Sequence, residues 1–183
     1  MKLVAGIDEV GRGCLAGPVV ACAVILPDDY NNVEIKDSKK LSAKKRELLY
    51  DIILANALAV GLGVVCNKLI DTIGIVPATK QAMHYALTRL SLQPSEIVID
   101  AVSLNNLPCP HIHPFKAEDS YQCVAAASIV AKVYRDRLMS RLAPLYPVYG
   151  WGSNKGYGSQ QHMNAIREHG HTELHRLSFI KNI

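Results

Sequence analysis

The chain has little of what would place it outside the cell or in a membrane. Its five cysteines (Cys14, Cys22, Cys66, Cys109, Cys123) are odd in number, scattered, and contain no C-x-x-C pair. That argues against a disulfide framework and for a reducing compartment. No apolar run approaches the roughly eighteen residues of a spanning helix. The N-terminal end shows no basic segment followed by a long apolar one, so no signal peptide is read there. A cytoplasmic protein with no membrane partner is expected. Internal repeats and low-complexity segments are absent, and aromatics are sparse at 6%. Charge of one sign does not dominate either. A net charge of +4 and a pI of about 8.8 are too mild to argue for a nucleic-acid partner by themselves.

What is present is ordinary in amount and uneven in placement. At 183 residues and 49% hydrophobic content, the chain is long enough for one domain, or one domain with an appendage, and needs no staples. Lys36, Lys39, Lys40, Lys44, Lys45 and Arg46 fall in one segment, and Lys132, Arg135, Arg137 and Arg141 in another. Such clusters suit a phosphate footprint. They suit the solvated faces of two helices equally well.

The stretch Gly6-Ile7-Asp8-Glu9-Val10-Gly11-Arg12-Gly13 organises the rest. It follows an apolar run that reads as a buried strand and carries two adjacent carboxylates to that strand's end. Neighbouring strand residues point to opposite faces, so Asp8 and Glu9 converge only if the strand ends, twists or bulges there. Two acids so placed repel each other and are costly to desolvate unless a cation or donors compensate. The chemistry this suggests is a divalent-metal site beside a phosphorylated substrate. A plain acidic strand-to-turn junction, with Arg12 as ion-pair partner, is the alternative.

Taken in order, residues 17–26 form a second apolar run, expected as an antiparallel partner of the first. Ser42 is placed to cap a helix running to about residue 56, with Leu48, Leu49, Ile52 and Ile53 on its apolar face. Residues 58–65 read as a third strand. Pro77 stands in the first turn of a helix whose stripe is Met83, Ala86, Leu87 and Leu90. Residues 96–101 repeat the opening theme, a strand with Asp100 at its end, and ligands gather at such ends in open α/β sheets. Cys109-x-His111-x-His113 lacks the second ligand pair of a zinc site, and alternation fits a short strand instead. A helix is expected over about 120–142, its first half rich enough in small residues to lie close against a sheet. Lys132 and Asp136, four apart, read as an exposed helix pair. Beyond Pro144 and Pro147 come a glycine-rich loop with Trp151, Lys155 and Tyr157, a helix over 159–168, and a short helix over 172–177. This tail is read as an appendage without a core of its own, able to reach across a substrate.

The acids at strand ends or strand-to-helix junctions are thus Asp8, Glu9, Asp100 and one of Glu118 or Asp119. Hard oxygen ligands in that number suit two divalent cations. Basic residues and glycine turns would hold a phosphodiester, and an aromatic loop would stack on sugar or base.

Several motifs in order resemble the type 2 ribonucleases H, the ribonuclease HII family. They are Asp8-Glu9-Val10-Gly11-Arg12-Gly13, Ala16-Gly17-Pro18, Asp37-Ser38-Lys39-Lys40-Leu41, Ile99-Asp100, the Ala125-Ala126-Ala127-Ser128 segment through Lys132 to Arg135-Asp136, Lys155-Gly156-Tyr157-Gly158, and residues 176–179. The resemblance implies an α/β, RNase H-like fold, a mixed five-stranded sheet flanked by helices. Residues 1–143 would be the catalytic domain and 144–183 a C-terminal loop and helical extension. It implies a monomeric endonuclease that cuts the RNA strand of RNA/DNA hybrids and incises at single ribonucleotides in duplex DNA, using Mg²⁺ or Mn²⁺. By position, Asp8, Glu9, Asp100 and Glu118 would be the metal ligands, and Gly11, Arg12 and Gly13 would read the ribose 2′-hydroxyl. Ser38 and Lys39 would contact phosphate, and Tyr157 would sense the sugar at the RNA-to-DNA junction. Glu118 is chosen over Asp119 because it stands ten residues before Ser128 and two after Lys116; Asp119, with Gln122 three residues on, is left to cap the following helix. Two departures stand out: Lys116-Ala117-Glu118-Asp119 where the family has Lys-Gly/Ala-Asp, and Arg176-Leu177 where it has paired arginines. Another metal phosphoesterase on a related fold, or a non-catalytic hybrid-binding protein, are the competing readings.

Overall fold

The computed structural model describes residues 2–100 and 102–183; Met1 and Ala101, the latter read as the end of the fourth strand, lie outside the described residues. The first apolar runs become β1 (Val4–Val10) and β2 (Val19–Ile25). They pair antiparallel as expected, with Asp8 opposite Cys22. β2 is buried at every position because it has no polar face and is covered on both sides.

α1 (Ala43–Asn56) starts at Ser42, whose hydroxyl accepts the Lys45 N–H at 3.3 Å. Leu49 and Ile53 are buried on it, whereas Leu48 is 54% exposed. One residue turns a helix by about 100°, so Leu48 and Leu49 cannot both face a narrow seam. β3 (Ala59–Val65) follows and pairs antiparallel with β2. The sequence reading did not anticipate α2 (Asn67–Ile73), which is separated by Gly74 from α3 (Ile75–Thr88).

β4 (Glu96–Ile99) then pairs parallel with β1, and the two-residue β5 (His111–Ile112) pairs parallel with β4. The result is a mixed sheet of order β3-β2-β1-β4-β5. A four-residue α4 (Ala117–Ser120) precedes the long α5 (Gln122–Leu142).

One sheet face packs on α3, with Ile7, Ile25, Met83, Ile97 and Ile99 between them. The other packs on α1 and α5 through Val20, Cys22, Leu49, Ile53 and Ile129. The small residues of α5 let it lie directly on β1. A Cβ at Gly6 would stand 2.3 Å from the Cys123 carbonyl carbon. That closeness places Ser128, one turn further along α5, beside the end of β1.

After α5 the chain turns through two 3₁₀ segments, Ala143–Leu145 and Pro147–Tyr149, into α6 (Trp151–Asn154) and α7 (Gln160–His169). The short helix expected over 172–177 does not form. Its backbone donors are claimed by distant partners: Arg176 N–H by Leu15 O at 2.8 Å, and Leu177 N–H by the Asp71 carboxylate at 2.8 Å. Nor is the tail coreless. Tyr149, Trp151, Ala165 and Ile166 pack with Ala16 and Met139 in a third cluster.

Candidate active site

Ile7 pairs with Ile99 across the parallel β1–β4 ladder. The next residue on each strand, Asp8 and Asp100, therefore stands beside the other at a carboxyl end of the sheet. Asp8 is 7% exposed. Burial, then the Glu9 charge, push its carboxyl up to about 8, with Asp100 adding to the rise. The Ser128 hydroxyl and the Glu9 N–H, which donates to Asp8 Oδ1 at 2.7 Å, act the other way. Glu9 is likewise pushed up by burial and by Asp100, while the Arg12 guanidinium, 3.2 Å from its Oε1, pulls it down. Both neighbours on β1 thus feel Asp100, although they leave the strand on opposite sides.

Asp100 is tied to α4, since its Oδ1 accepts the Ala117 N–H at 3.0 Å. That bond brings Glu118 to the cluster. Burial raises the Glu118 carboxyl, Asp100 and Asp37 raise it further, and its Oε2 is buried without a hydrogen-bond partner. Asp119 points elsewhere. Its carboxylate pairs with Lys40 Nζ at 2.5 Å near the surface and is held below the usual range by that contact. The expected cap is corrected here. α5 begins at Gln122 with Tyr121 at its N-cap and no side-chain cap, because α4 uses residues 117–120 as a separate turn. Gln122 instead bonds both backbone groups of Asn32.

The acids suit a divalent cation. Asp8, Glu9 and Glu118 are each pushed toward protonation by burial and by the Asp100 charge, and a buried oxygen of Glu118 is left over. A cation relieves all of these at once. Among the described residues no three His, Cys, Asp or Glu side chains are already closed into a ligand cluster; Arg12 and the Ala117 N–H hold Glu9 and Asp100 instead. His111 and His113 lie exposed near the far edge strand, their rings 6.4 Å apart.

The turn beside the acids is fixed from below. Gly11 adopts φ +90°, and a Cβ there would meet Arg135 Nε at 2.3 Å. Gly13 opens onto free space, and Arg12 is exposed. Arg135, fully buried, donates to the carbonyls of Pro18, Lys155 and Ala16 at 2.9, 2.8 and 3.0 Å. Arg176, also fully buried, donates to Gly17 O at 2.9 Å and Arg12 O at 2.8 Å. It therefore holds the turn rather than standing on the open surface.

Tyr157 forms an isolated bridge with Cys14, which joins the tail to the same turn. Its ring is 38% exposed and lies under Lys132 and Arg135, at 5.4 and 5.6 Å. The Lys132–Asp136 pair, at 2.8 Å and only about a fifth exposed, flanks that ring and is not the open surface pair expected. Lys39 is exposed on the 3₁₀ turn Ser38–Lys40. Ser38 is buried, with its hydroxyl 2.8 Å from that of Ser128. Asp37 and Ser128 were not singled out as site residues from the sequence, though each lies inside a motif that carried the resemblance; Arg135 stood there only within a basic cluster and Arg176 only as a departure from the family pattern.

A mixed sheet of this order, with acids at adjoining strand ends and helices on both faces, is the architecture of the RNase H fold. The ribonuclease HII family model matches residues 5–182. A ribonuclease HII from Lachnoclostridium phytofermentans is 49% identical over 182 residues, covering all of this chain and 72% of that protein. One from Bacillus cereus strain Q1 is 51% identical over 179 residues, covering 98% and 69%. The solved PCNA:RNase HII complex from Archaeoglobus fulgidus superposes with TM-score 0.82 at 28% identity, covering 98% of this chain and 95% of that one. The chain belongs to the ribonuclease HII family and is a type 2 RNase H endoribonuclease.

Proposed function

We propose that this enzyme cuts the RNA strand of RNA/DNA hybrids and incises at single ribonucleotides in duplex DNA, leaving 3′-hydroxyl and 5′-phosphate ends. The observation that carries this reading is the bridge joining Tyr157 to the Gly11–Arg12–Gly13 turn beside the four acids. A general phosphodiesterase needs the acids alone. An enzyme that must find one 2′-hydroxyl in DNA needs a rigid reader of the sugar next to them. Asp8, Glu9, Asp100 and Glu118 would hold Mg²⁺ or Mn²⁺, which when bound supplies Lewis-acid charge to activate water and to neutralise the leaving oxygen.

The chain's own groups do the positioning. Ser128, backed by Ser38, orients Asp8. The Ala117 N–H orients Asp100, and Arg12 orients Glu9. Arg135 and Arg176 hold the turn that would meet the ribose, and exposed Lys39 is placed for a phosphate. Residues 1–143 supply the acids, residues 144–183 complete the substrate side, and the protein works as a cytoplasmic monomer. No helix among the described residues is long and apolar enough to cross a membrane.

Tyr157→Ala tests the reading. The expected result is a larger loss of kcat/KM on a duplex with one ribonucleotide than on a uniform hybrid, by about 5- to 150-fold if the lost stacking is near 1–3 kcal/mol. Equal losses on both substrates would leave Tyr157 a packing residue.

A further inference from the structure

Beneath Tyr157 lies a buried polar chain that the catalytic reading does not use. His162 and His175 are 0% and 1% exposed, walled by Trp151 and Tyr149. Their hydrogen bonds fix both tautomers. His162 Nδ1 is 2.9 Å from Tyr157 O, a carbonyl that can only accept, so Nδ1 carries the proton. The Trp151 Nε1–H can only donate, and it meets His162 Nε2 at 3.1 Å, so that nitrogen is bare. His175 Nδ1 accepts the Thr172 N–H at 2.9 Å, which puts its proton on Nε2, 3.1 Å from His162 Nε2. Both rings are neutral in this arrangement, and the Trp151 Nε1–H and the His175 Nε2–H share the one lone pair of His162 Nε2. Burial lowers the proton affinity of each ring in agreement with this.

The chain ends on the backbone of one residue. Tyr157 follows Gly156, whose φ of +84° and close approach to Ala16 O leave no room for a side chain. Tyr157 itself stays 38% exposed. Its carbonyl is therefore a fixed point from which the ring's position is set.

We propose that His162 is a positioning residue for substrate discrimination, its Nδ1–H holding the Tyr157 carbonyl while Trp151 and His175 fix its tautomer. This inference rests on Tyr157 reading the sugar, so the Tyr157→Ala result serves as its reference.

Two substitutions separate the two ends of the ring. In His162→Asn the amide nitrogen falls near the Nδ1 position and keeps the donor to Tyr157 O. In His162→Gln the amide oxygen falls near Nε2 and keeps the acceptor for Trp151, but the donor to Tyr157 is lost. The quantity to measure is the ratio of kcat/KM on a single-ribonucleotide duplex to that on a uniform hybrid. His162→Asn should keep this ratio within about twofold of wild type, and His162→Gln should move it most of the way to the Tyr157→Ala value. If Tyr157→Ala shifts the ratio and His162→Gln does not, the inference is overturned and the reading of Tyr157 stands. If Tyr157→Ala itself leaves the ratio unchanged, both fall. A measurement on the unaltered protein covers variants that fail to fold. Imidazole ¹⁵N shifts near neutral pH should show His162 protonated at Nδ1 and His175 at Nε2, and the opposite tautomer at His162 would overturn the proposal.

Discussion

Asp8→Asn should abolish turnover, by at least about a thousandfold, and at the same time make the metal-free protein more stable at pH 8. The two effects share one cause. Asp8 is buried among acids, and its carboxyl is raised from an ordinary 3.8 to about 8. Between those values the folded protein binds a proton that the unfolded chain does not. Stability without metal is therefore fullest below about pH 4 and is lost as pH rises toward 8. Asparagine keeps the acceptor for the Glu9 N–H and removes the charge. A gain of about 2 kcal/mol or more at pH 8, or roughly 4–8 °C in Tm, is expected in EDTA, shrinking toward zero near pH 4. Asp100→Asn should lose turnover as well. Activity within a few-fold of wild type in either variant would end the metal-ligand reading, and a lower Tm for Asp8→Asn at pH 8 would refute the account of its burial.

The second large effect separates two adjacent acids. Glu118→Gln should remove most activity with little change in Tm, because its carboxylate sits against Asp100 with an oxygen unpartnered. Asp119→Ala should leave most activity. Its ion pair with Lys40 is about half exposed on both sides, and such solvent-screened pairs add little to stability. Melting curves and single-turnover rates on both variants decide it. The reverse pattern would move the ligand to Asp119.

Much of this was legible in the sequence because the signals were local. Two apolar runs, each ending in an acid, are enough to expect Asp8 and Asp100 together at one end of a sheet. Ser42 announced its helix because a cap is a contact within one turn. What failed was set by distant partners. Residues 172–177 have no helix because Leu15 and Asp71, more than a hundred residues away, take their N–H groups. Asp119 does not cap α5 because Lys40 holds it and α4 intervenes. The contact between the Ser38 and Ser128 hydroxyls, ninety residues apart, had no signal in the sequence either. Arg135 stood in a basic cluster that suited a phosphate footprint or a solvated helix face, and Arg176 was only a departure from the family pattern. Only the fold shows both buried beneath the turn, each donating to backbone carbonyls.

The most direct measurement uses an end-labelled DNA duplex carrying one ribonucleotide, the same duplex in all-DNA form, and the protein with Mg²⁺ or Mn²⁺ and then with EDTA. The account predicts one cut, at the ribonucleotide, giving a 3′ end that a polymerase extends. It predicts no cut in the all-DNA duplex and none in EDTA. Cleavage of both duplexes at similar rates, or cleavage that survives EDTA, would contradict it.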